Sequence, residues 1–268
     1  MNKIKLIAEI GWNHLGDMKL AKKMIQEAAK SGADICKFQT WSEKNLKSGP
    51  WDHDGRREIY KKAQLTTKDH FILKNECKKN NLEFCTSIFS LKDLPFLKKL
   101  NKKIIKIPSH EVHNIELIKK CVKNFNLVLI SLGAAKWSEV LKIAKIKSKK
   151  IILMHCVSSY PLAAKNVNFN KFDKISKLSN NQIGYSGHYH GFEDAMFAFS
   201  KGARFVEKHF TTNNDLPGRD NKFALNPKQF KALSKFRDLF LEMYKVKHTD
   251  LQKCEIEIFK NYRGRWSK

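Results

Sequence analysis

The sequence predicts a single-domain (β/α)8 barrel, and three observations support that fold class. Short apolar or β-branched runs alternate along the chain with segments of helical periodicity, eight of each, which favours parallel strands joined by helices. A chain of 268 residues has room for eight such units. The first strand is not followed by the glycine-rich phosphate-binding sequence that the alternative, an open doubly wound sheet, often carries.

The predicted elements follow one another in a regular order. Each strand is a short apolar run, and the runs lie at 4–11, 34–40, 83–89, 104–109, 127–133, 151–157, 182–188 and 204–210. Helical spacing of apolar residues predicts helices at 18–31, 66–79, 91–100, 114–124, 136–147, 170–179, 191–201 and 228–246. Residues 1–248 form the predicted catalytic barrel domain and 249–268 a tail. The loop 41–65 is long enough to form a lid.

The charge balance is strongly basic, but its pattern is not typical of a nucleic-acid-binding protein. Lys plus Arg number 52 and Asp plus Glu 26, which gives a net charge of +26. Most of these cations are lysines spread over amphipathic segments, whereas nucleic-acid-binding proteins concentrate charge in patches and rely on Arg. We expect no nucleic-acid partner. The alternative, a polyanion-binding protein, predicts DNA or RNA binding with a steep salt dependence.

Cysteine usage and hydropathy indicate the compartment. The six cysteines are scattered singly, without the paired spacing of zinc or redox sites. No apolar run is long enough to cross a bilayer, and Glu9 interrupts the only short apolar stretch at the start. We therefore expect a cytoplasmic protein with no membrane partner.

Polar side chains interrupt the predicted strands near their carboxyl ends. A charged residue there is costly to bury unless it is paired, and barrel enzymes build their sites at this rim. A single Lys or Glu is more often half of an ion pair inside the barrel, but polar residues on all eight strands indicate a site. They are Glu9, Lys37, Gln39, Thr86, Ser87, Lys106, Ser109, Ser131, His155, Ser186, His188, Glu207 and His209.

Two kinds of ligand suit these residues. Two lysines and several hydroxyls make a site for a phosphate and a carboxylate. His188 and His209, on adjacent predicted strands, are too few for a closed structural zinc site. They fit an open catalytic site completed by water, substrate or a carboxylate.

The ordered motifs resemble those of the sialic acid synthase family, which includes the N-acetylneuraminate, legionaminate and pseudaminate synthases. The resemblance extends from Ile7 to about Phe230. It is carried by AEIGWNHLG at 8–16, GADICKFQT at 32–40, KIPSHE at 106–111, HCVSSYP at 155–161, GYSGH at 184–188, VEKHFT at 206–211 and PGRDNK at 217–222.

The resemblance implies a metal-dependent (β/α)8 barrel enzyme, a transferase that condenses phosphoenolpyruvate with an N-acylated aldose such as N-acetylmannosamine. The product is a nine-carbon 2-keto sugar acid, and phosphate is released. By resemblance, His188 and His209 are the ligands of Mn²⁺ or Mg²⁺. The implied phosphoenolpyruvate cradle is Lys37, Lys106, Ser109, Ser131, Ser158 and Ser186. The implied sugar-binding and proton-transfer groups are Glu9, Glu111, Tyr160, Glu207 and Asp220.

The sequence also departs from the family pattern. Gly187 stands where the family usually has Asp, so a support for the metal site is expected to be missing, and Ser158 replaces a usual Asn. Family members generally continue into an antifreeze-like domain that lends an Arg to the partner subunit. We expect a homodimer, with the missing domain absent or supplied by a separate protein.

Two other readings of the barrel remain open. One is a related 2-keto-3-deoxy sugar acid synthase with a different, possibly phosphorylated, aldose, for which Arg56, Arg57 and Arg219 are candidate phosphate ligands. The other is a non-catalytic, degenerate barrel.

Overall fold

The computed structural model describes residues 3–178 and 181–266, with only the backbone of residue 51. Eight parallel strands close into a barrel in sequence order, each pairing with its neighbours along the chain and β1 pairing with β8. The strands are β1 (Lys5–Glu9), β2 (Ile35–Thr40), β3 (Glu83–Ile88), β4 (Ile104–Ile107), β5 (Leu127–Ser131), β6 (Ile151–Cys156), β7 (Ile183–Gly187) and β8 (Ala203–His209). The predicted fold class is confirmed.

Helices surround this barrel. In chain order they are α1 (Met18–Lys30), α2 (Arg56–Ala63), α3 (Thr67–Lys79), α4 (Leu94–Leu100), α5 (Ile115–Asn124), α6 (Trp137–Ala144), α7 (Phe169–Leu178), α8 (Glu193–Ser200), α9 (Arg219–Phe223), α10 (Pro227–Met243) and α11 (Ile256–Asn261). Residue 179, the predicted end of one helix, lies outside the described residues. In the described part of the chain, no helix is long and apolar enough to cross a membrane.

Side chains at the helix starts explain several of these boundaries. The Asp17 carboxylate accepts hydrogen bonds from the backbone N–H groups of Lys19 and Leu20, at 2.7 and 3.1 Å. Thr66 and Asn226 cap α3 and α10 in the same way. Such caps satisfy backbone donors that a helix start leaves unpaired. β4 ends at Ile107, earlier than predicted, because Pro108 has no N–H to donate to a neighbouring strand.

The segment 41–65 is more regular than a loop. It contains short 3-10 turns at Glu43–Asn45 and Pro50–Asp52, followed by α2. Arg57 holds the segment together, because its guanidinium contacts Glu43 at 2.8 Å and Asp52 at 2.6 Å. We call residues 41–65 the cover segment.

The core has two parts. A large apolar layer lies between the strands and the helices, and a smaller cluster fills the inside of the barrel. We call this inner cluster the floor, and it consists of Ile7, Ile35, Cys85, Ile104, Leu129, Ile152, Met154 and Phe205. Strand residues two apart point to the same face. The residue two positions after most floor residues therefore also points inward, one layer nearer the carboxyl rim.

Candidate active site

A pocket opens above the floor, at the carboxyl ends of the strands. It brings together eleven of the thirteen predicted site residues, from seven of the eight strands or the loops that follow them. Those eleven are Glu9, Lys37, Lys106, Ser109, Ser131, Tyr160, Ser186, His188, Glu207, His209 and Asp220.

Period-two alternation explains why these side chains meet. Ile7, Ile35, Ile104 and Phe205 of the floor are each followed, two residues later, by a buried charged residue. Those residues are Glu9, Lys37, Lys106 and Glu207. Ser87, Ser131, Cys156 and Ser186 complete the same layer from the other strands. The barrel therefore carries an apolar floor beneath a polar layer.

Four charged side chains form a network within this layer. The Lys37 Nζ lies 2.7 Å from Glu9 Oε2 and 3.5 Å from Glu207 Oε1. The Lys106 Nζ donates to Glu207 Oε2 at 2.7 Å. Ser186 Oγ donates to the other Glu207 oxygen at 3.1 Å, and Lys37 also donates to Ser87 Oγ at 3.0 Å. Both lysines are thus ion-paired within the barrel, and both also line the pocket.

The two carboxylates of the network differ in protonation. Burial raises the pKa of Glu9 to about 7; Lys37 opposes this shift, and the nearby Glu207 charge adds to it. Burial also disfavours the Glu207 charge, but Lys106 and Lys37 outweigh it and lower the pKa of Glu207 to about 2. Glu207 is therefore ionised at neutral pH, whereas Glu9 exchanges its proton there. When Glu9 is protonated, the network has a net positive charge.

The two predicted metal ligands lie side by side, with ring centroids 5.5 Å apart. His188 Nδ1 is 2.7 Å from the Val157 carbonyl oxygen. Because a carbonyl only accepts, Nδ1 carries the hydrogen, which leaves the Nε2 lone pair available. Burial, with repulsion from His188, holds the pKa of His209 well below its usual value. His209 is therefore neutral, as a metal ligand must be.

These imidazoles fit an open metal site and not a closed one. The buried Nδ1 of His209 has no hydrogen-bond partner among residues 3–178 and 181–266, and Asp220 Oδ2 lies 3.7 Å from it. Within the same residues, no three His, Cys, Asp or Glu side chains converge as a metal-binding group. A divalent ion here would need water or substrate to complete its coordination.

An aromatic ring connects the imidazoles to the mouth of the pocket. The Tyr160 ring centroid is 4.1 Å from that of His188, and the Arg219 guanidinium carbon lies 5.1 Å from the Tyr160 centroid. Asp220, beside Arg219, is buried, and burial raises its pKa. The wall nearest the mouth thus combines an aromatic face with polar groups, as a carbohydrate site requires.

Glu111 and Ser158, the other two predicted site residues, do not line the pocket. The Glu111 carboxylate accepts a hydrogen bond from Asn114 Nδ2 at 3.3 Å, in the turn after β4. The Ser158 hydroxyl lies beside Gly133, where an added Cβ would overlap it. Ser158 is therefore next to the pocket wall, close to Ser109, and Glu111 is turned away from it.

Gly187 has a clear packing role. A Cβ there would overlap the Asp194 carboxylate, which comes from α8. That carboxylate accepts hydrogen bonds from Lys208 Nζ at 3.0 Å and from the Tyr185 hydroxyl at 2.8 Å. The chain thus lacks the carboxylate that the family usually carries at position 187, and the Asp194 carboxylate of α8 lies next to that position instead.

Some polar strand residues face away from the pocket, against the expectation that they converge on it. His155 Nε2 is 2.7 Å from the Val167 carbonyl oxygen, and its ring packs against Phe172 of α7. Thr86 contacts Thr40 at 2.8 Å, and Thr40 contacts His70 of α3 at 2.8 Å. Because these residues occupy the alternate strand positions, they point to the helices.

Sequence reasoning did not assign several of the residues that line the pocket. Cys156 occupies an inward strand position, so the alternation signal was present for it, whereas Gln39 and Ser87 were predicted at the rim but without a role. Arg56 and Arg219, which were candidates only for a phosphorylated aldose, line the pocket too, and so do residues that were not predicted: Trp12, Tyr60, Phe89, Pro108 and His110. Nearly all of these come from loops or α2, where no periodicity predicts which way a side chain points.

Known proteins with similar sequences are sugar acid synthases. The NeuB family profile matches residues 24–247. An N,N'-diacetyllegionaminic acid synthase of Campylobacter jejuni is 34% identical over 250 residues, which cover 87% of this chain and 75% of that protein. An N-acetylneuraminate-9-phosphate synthase of Drosophila melanogaster is 34% identical over 252 residues, covering 87% of this chain and 67% of that one.

A solved structure agrees with the sequence comparison. The N-acetylneuraminic acid synthetase of Leptospira borgpetersenii, crystallised in complex with citrate, superposes with a TM-score of 0.86 at 31% identity. The match covers 96% of this chain and 90% of that one. Sequence and fold therefore point to the same family.

Proposed function

This chain belongs to the NeuB family, and from that premise we propose that it condenses phosphoenolpyruvate with a six-carbon N-acylated aldose. Three carbons from the enol and six from the sugar give a nine-carbon 2-keto acid. Water supplies the new oxygen at carbon 2, and phosphate leaves. The observation that carries this proposal is the meeting of Lys37, Lys106, the pocket hydroxyls and two adjacent imidazoles in one pocket.

In this proposal, the polar layer binds the enol phosphate. Lys37 and Lys106 are buried, so their attraction to a phosphate or carboxylate is weakly screened. Ser109, Ser131 and Ser186 line the same pocket and can donate hydrogen bonds to those oxygens. As the carbon–oxygen bond breaks, charge develops on the leaving phosphate, and the lysines stabilise it.

The bond-forming step requires the two substrates to be held in contact. Carbon 3 of the enol attacks the aldehyde carbon, and the electron pair of the enol double bond forms the new carbon–carbon bond. The π pair of the aldehyde moves to its oxygen, which takes up a proton and becomes a hydroxyl. Carbon 2 then becomes electron-deficient and takes up water, which loses a proton. Orientation of two bound reactants can contribute about 7–11 kcal/mol to such a step. The floor limits how deep either substrate can enter.

Glu9 suits the proton transfer. Its pKa of about 7 lets it accept a proton from the attacking water and return one at neutral pH. Gln39 Nε2 donates to Glu9 Oε1 at 2.6 Å and fixes the carboxyl plane. Tyr160 and Asp220, nearer the mouth, would contact the aldose.

We propose that His188 and His209 bind Mn²⁺ or Mg²⁺. When bound there, the ion would supply Lewis acidity at the aldehyde oxygen of the acceptor. The adjacency of the two rings and the neutral His209 support this assignment.

The proposal is tested by phosphate release from phosphoenolpyruvate with Mn²⁺ or Mg²⁺ and a panel of N-acylated hexosamines. Release should require an aldose and a divalent ion. His209→Ala should abolish it and weaken Mn²⁺ binding measured by calorimetry. His190→Ala, an exposed histidine near the same strands, should change neither. Absence of release with every sugar would refute the proposed reaction.

A further inference from the structure

Two arginines stand at the mouth of the active-site pocket. Arg56, at the start of α2, and Arg219, at the start of α9, both line the pocket that contains the lysines and imidazoles. Both also line an adjoining pocket with Asp54, Ile59, Gly218 and Lys222. The two arginines are therefore shared between the reacting centre and a neighbouring recess.

This recess has an excess of positive charge. Its cations are Arg56, Arg219 and Lys222, and its one carboxylate is Asp54. Asp54 is engaged by Arg56, with Nε at 2.7 Å and Nη2 at 2.5 Å. Within the described residues, Arg219 has a single long hydrogen bond, 3.5 Å to Asp220 Oδ1. Most of its planar donor set is therefore available to an anion.

Arg219 is also at a suitable distance from the reacting centre. Its guanidinium carbon is 5.1 Å from the Tyr160 ring, which is itself 4.1 Å from the His188 ring. The guanidinium carbon therefore lies no farther from the His188 ring than the sum of these two distances, and an extended six-carbon chain with a terminal anionic group can span that length. An acceptor whose aldehyde lies at the imidazoles can thus place its far end at the arginines.

Arg57 shows that this arrangement is selective. It follows Arg56 in the chain, but its guanidinium is bound to Glu43 and Asp52 inside the cover segment. It lines neither of the two pockets. Of the three arginines considered as phosphate ligands from the sequence, the structure brings two to the mouth.

We propose that the mouth of the pocket binds an anionic group, a phosphate or a carboxylate, at the end of the aldose opposite its aldehyde. Arg219, assisted by Arg56, selects acceptors that carry such a group. This inference rests on the proposed condensation and names the acceptor class more closely.

The test compares kcat/KM for three acceptors at saturating phosphoenolpyruvate. They are N-acetylmannosamine, its 6-phosphate and the analogue in which carbon 6 is oxidised to a carboxylate. At least one anionic acceptor should be preferred over the neutral one by roughly tenfold or more. The anionic acceptor with the higher kcat/KM identifies phosphate or carboxylate as the natural group. Arg219→Gln should reduce that preference by a similar factor, mainly through KM, because the contact is equally present before and during reaction.

Lys61→Gln is the matched control, since it removes one positive charge from an exposed position on α2. It should keep the wild-type ratio. Equal kcat/KM for neutral and anionic acceptors, or an unchanged ratio in Arg219→Gln, would overturn the anion subsite while leaving the condensation intact. No turnover of any of the three acceptors, or of any sugar in the wider panel of N-acylated hexosamines, would overturn both proposals together.

Discussion

Lys106 is only 1% exposed to solvent and contacts Glu207, and this position gives it two roles. It offsets a buried carboxylate, and it presents charge to the pocket. Its removal therefore affects both stability and binding. Lys103, a surface lysine just before the start of the same strand, has neither role. It pairs with Glu83, and 72% of its side chain is exposed.

We expect Lys106→Ala to lower the free energy of unfolding by about 3–5 kcal/mol, because Glu207 loses its nearest buried partner. We also expect the KM for phosphoenolpyruvate to rise by roughly tenfold or more. Urea denaturation and steady-state kinetics measure the two effects. Lys103→Ala should cost less than about 1 kcal/mol and leave KM unchanged. A wild-type KM in Lys106→Ala would remove this lysine from the cradle.

Glu9 makes stability depend on pH in a defined direction. Its pKa is raised from 4.5 to about 7 by burial, so the native state holds a proton that the unfolded chain releases above pH 4.5. The stabilisation from this proton is complete below pH 4.5 and is lost as the pH rises through about 7.

Comparison of wild type with Glu9→Gln isolates this contribution, because the other titrating groups are common to both. From pH 5 to pH 8, the free energy of unfolding of the wild type should fall by on the order of 1–3 kcal/mol relative to that of Glu9→Gln. Chemical denaturation at the two pH values measures it. If the free energies of unfolding of the two proteins differ by the same amount at pH 5 and at pH 8, Glu9 does not titrate near neutrality.

At the scale of elements, the strands were predictable and the loops after them were not. Alternation along β1, β2, β4 and β8 places an apolar residue and then a charged one on the same inward face, so Glu9, Lys37, Lys106 and Glu207 could be found from sequence. Loop residues lack such a period. Glu111 was assigned to the site and faces Asn114, whereas Trp12 lines the pocket without having been predicted.

Residues at the carboxyl ends of β4, β5 and β6 meet at Gly133. An added Cβ there would lie 2.6 Å from Ser109 Oγ and 3.1 Å from Cys156 Sγ, and would overlap Ser158 Oγ. The contacts with the two hydroxyls are shorter than packed atoms allow, so a methyl group must displace both hydroxyls. The absence of a side chain at this position thus keeps the proposed phosphoenolpyruvate cradle open.

Gly133→Ala should therefore raise the KM for phosphoenolpyruvate, with a cost of about 1–3 kcal/mol from overpacking. The KM for the aldose should change less, because the three atoms nearest the added Cβ belong to Ser109, Ser158 and Cys156 and not to Tyr160 or Asp220. Steady-state kinetics with each substrate varied in turn measures both constants. An unchanged KM for phosphoenolpyruvate would mean that Ser109 and Ser158 do not contact it.

At the scale of the whole molecule, barrel closure assembles the site. Lys37 and Glu207 come from strands at positions two and eight in the chain, yet they lie 3.5 Å apart, because barrel closure places β2 and β8 on either side of β1. The net charge of +26 favours the approach of anions in general. The selective chemistry lies in the polar layer, where buried lysines, hydroxyls and two imidazoles share one opening.

The most direct test of the account follows the atoms of the enol substrate. Phosphoenolpyruvate labelled with ¹³C at carbon 2 and ¹⁸O in the bridging position is incubated with Mn²⁺ and the aldose that supports phosphate release. The account predicts ¹³C at the ketone carbon of a nine-carbon acid and ¹⁸O in the released phosphate. Label recovered in pyruvate, with phosphate release that needs no sugar, would contradict it.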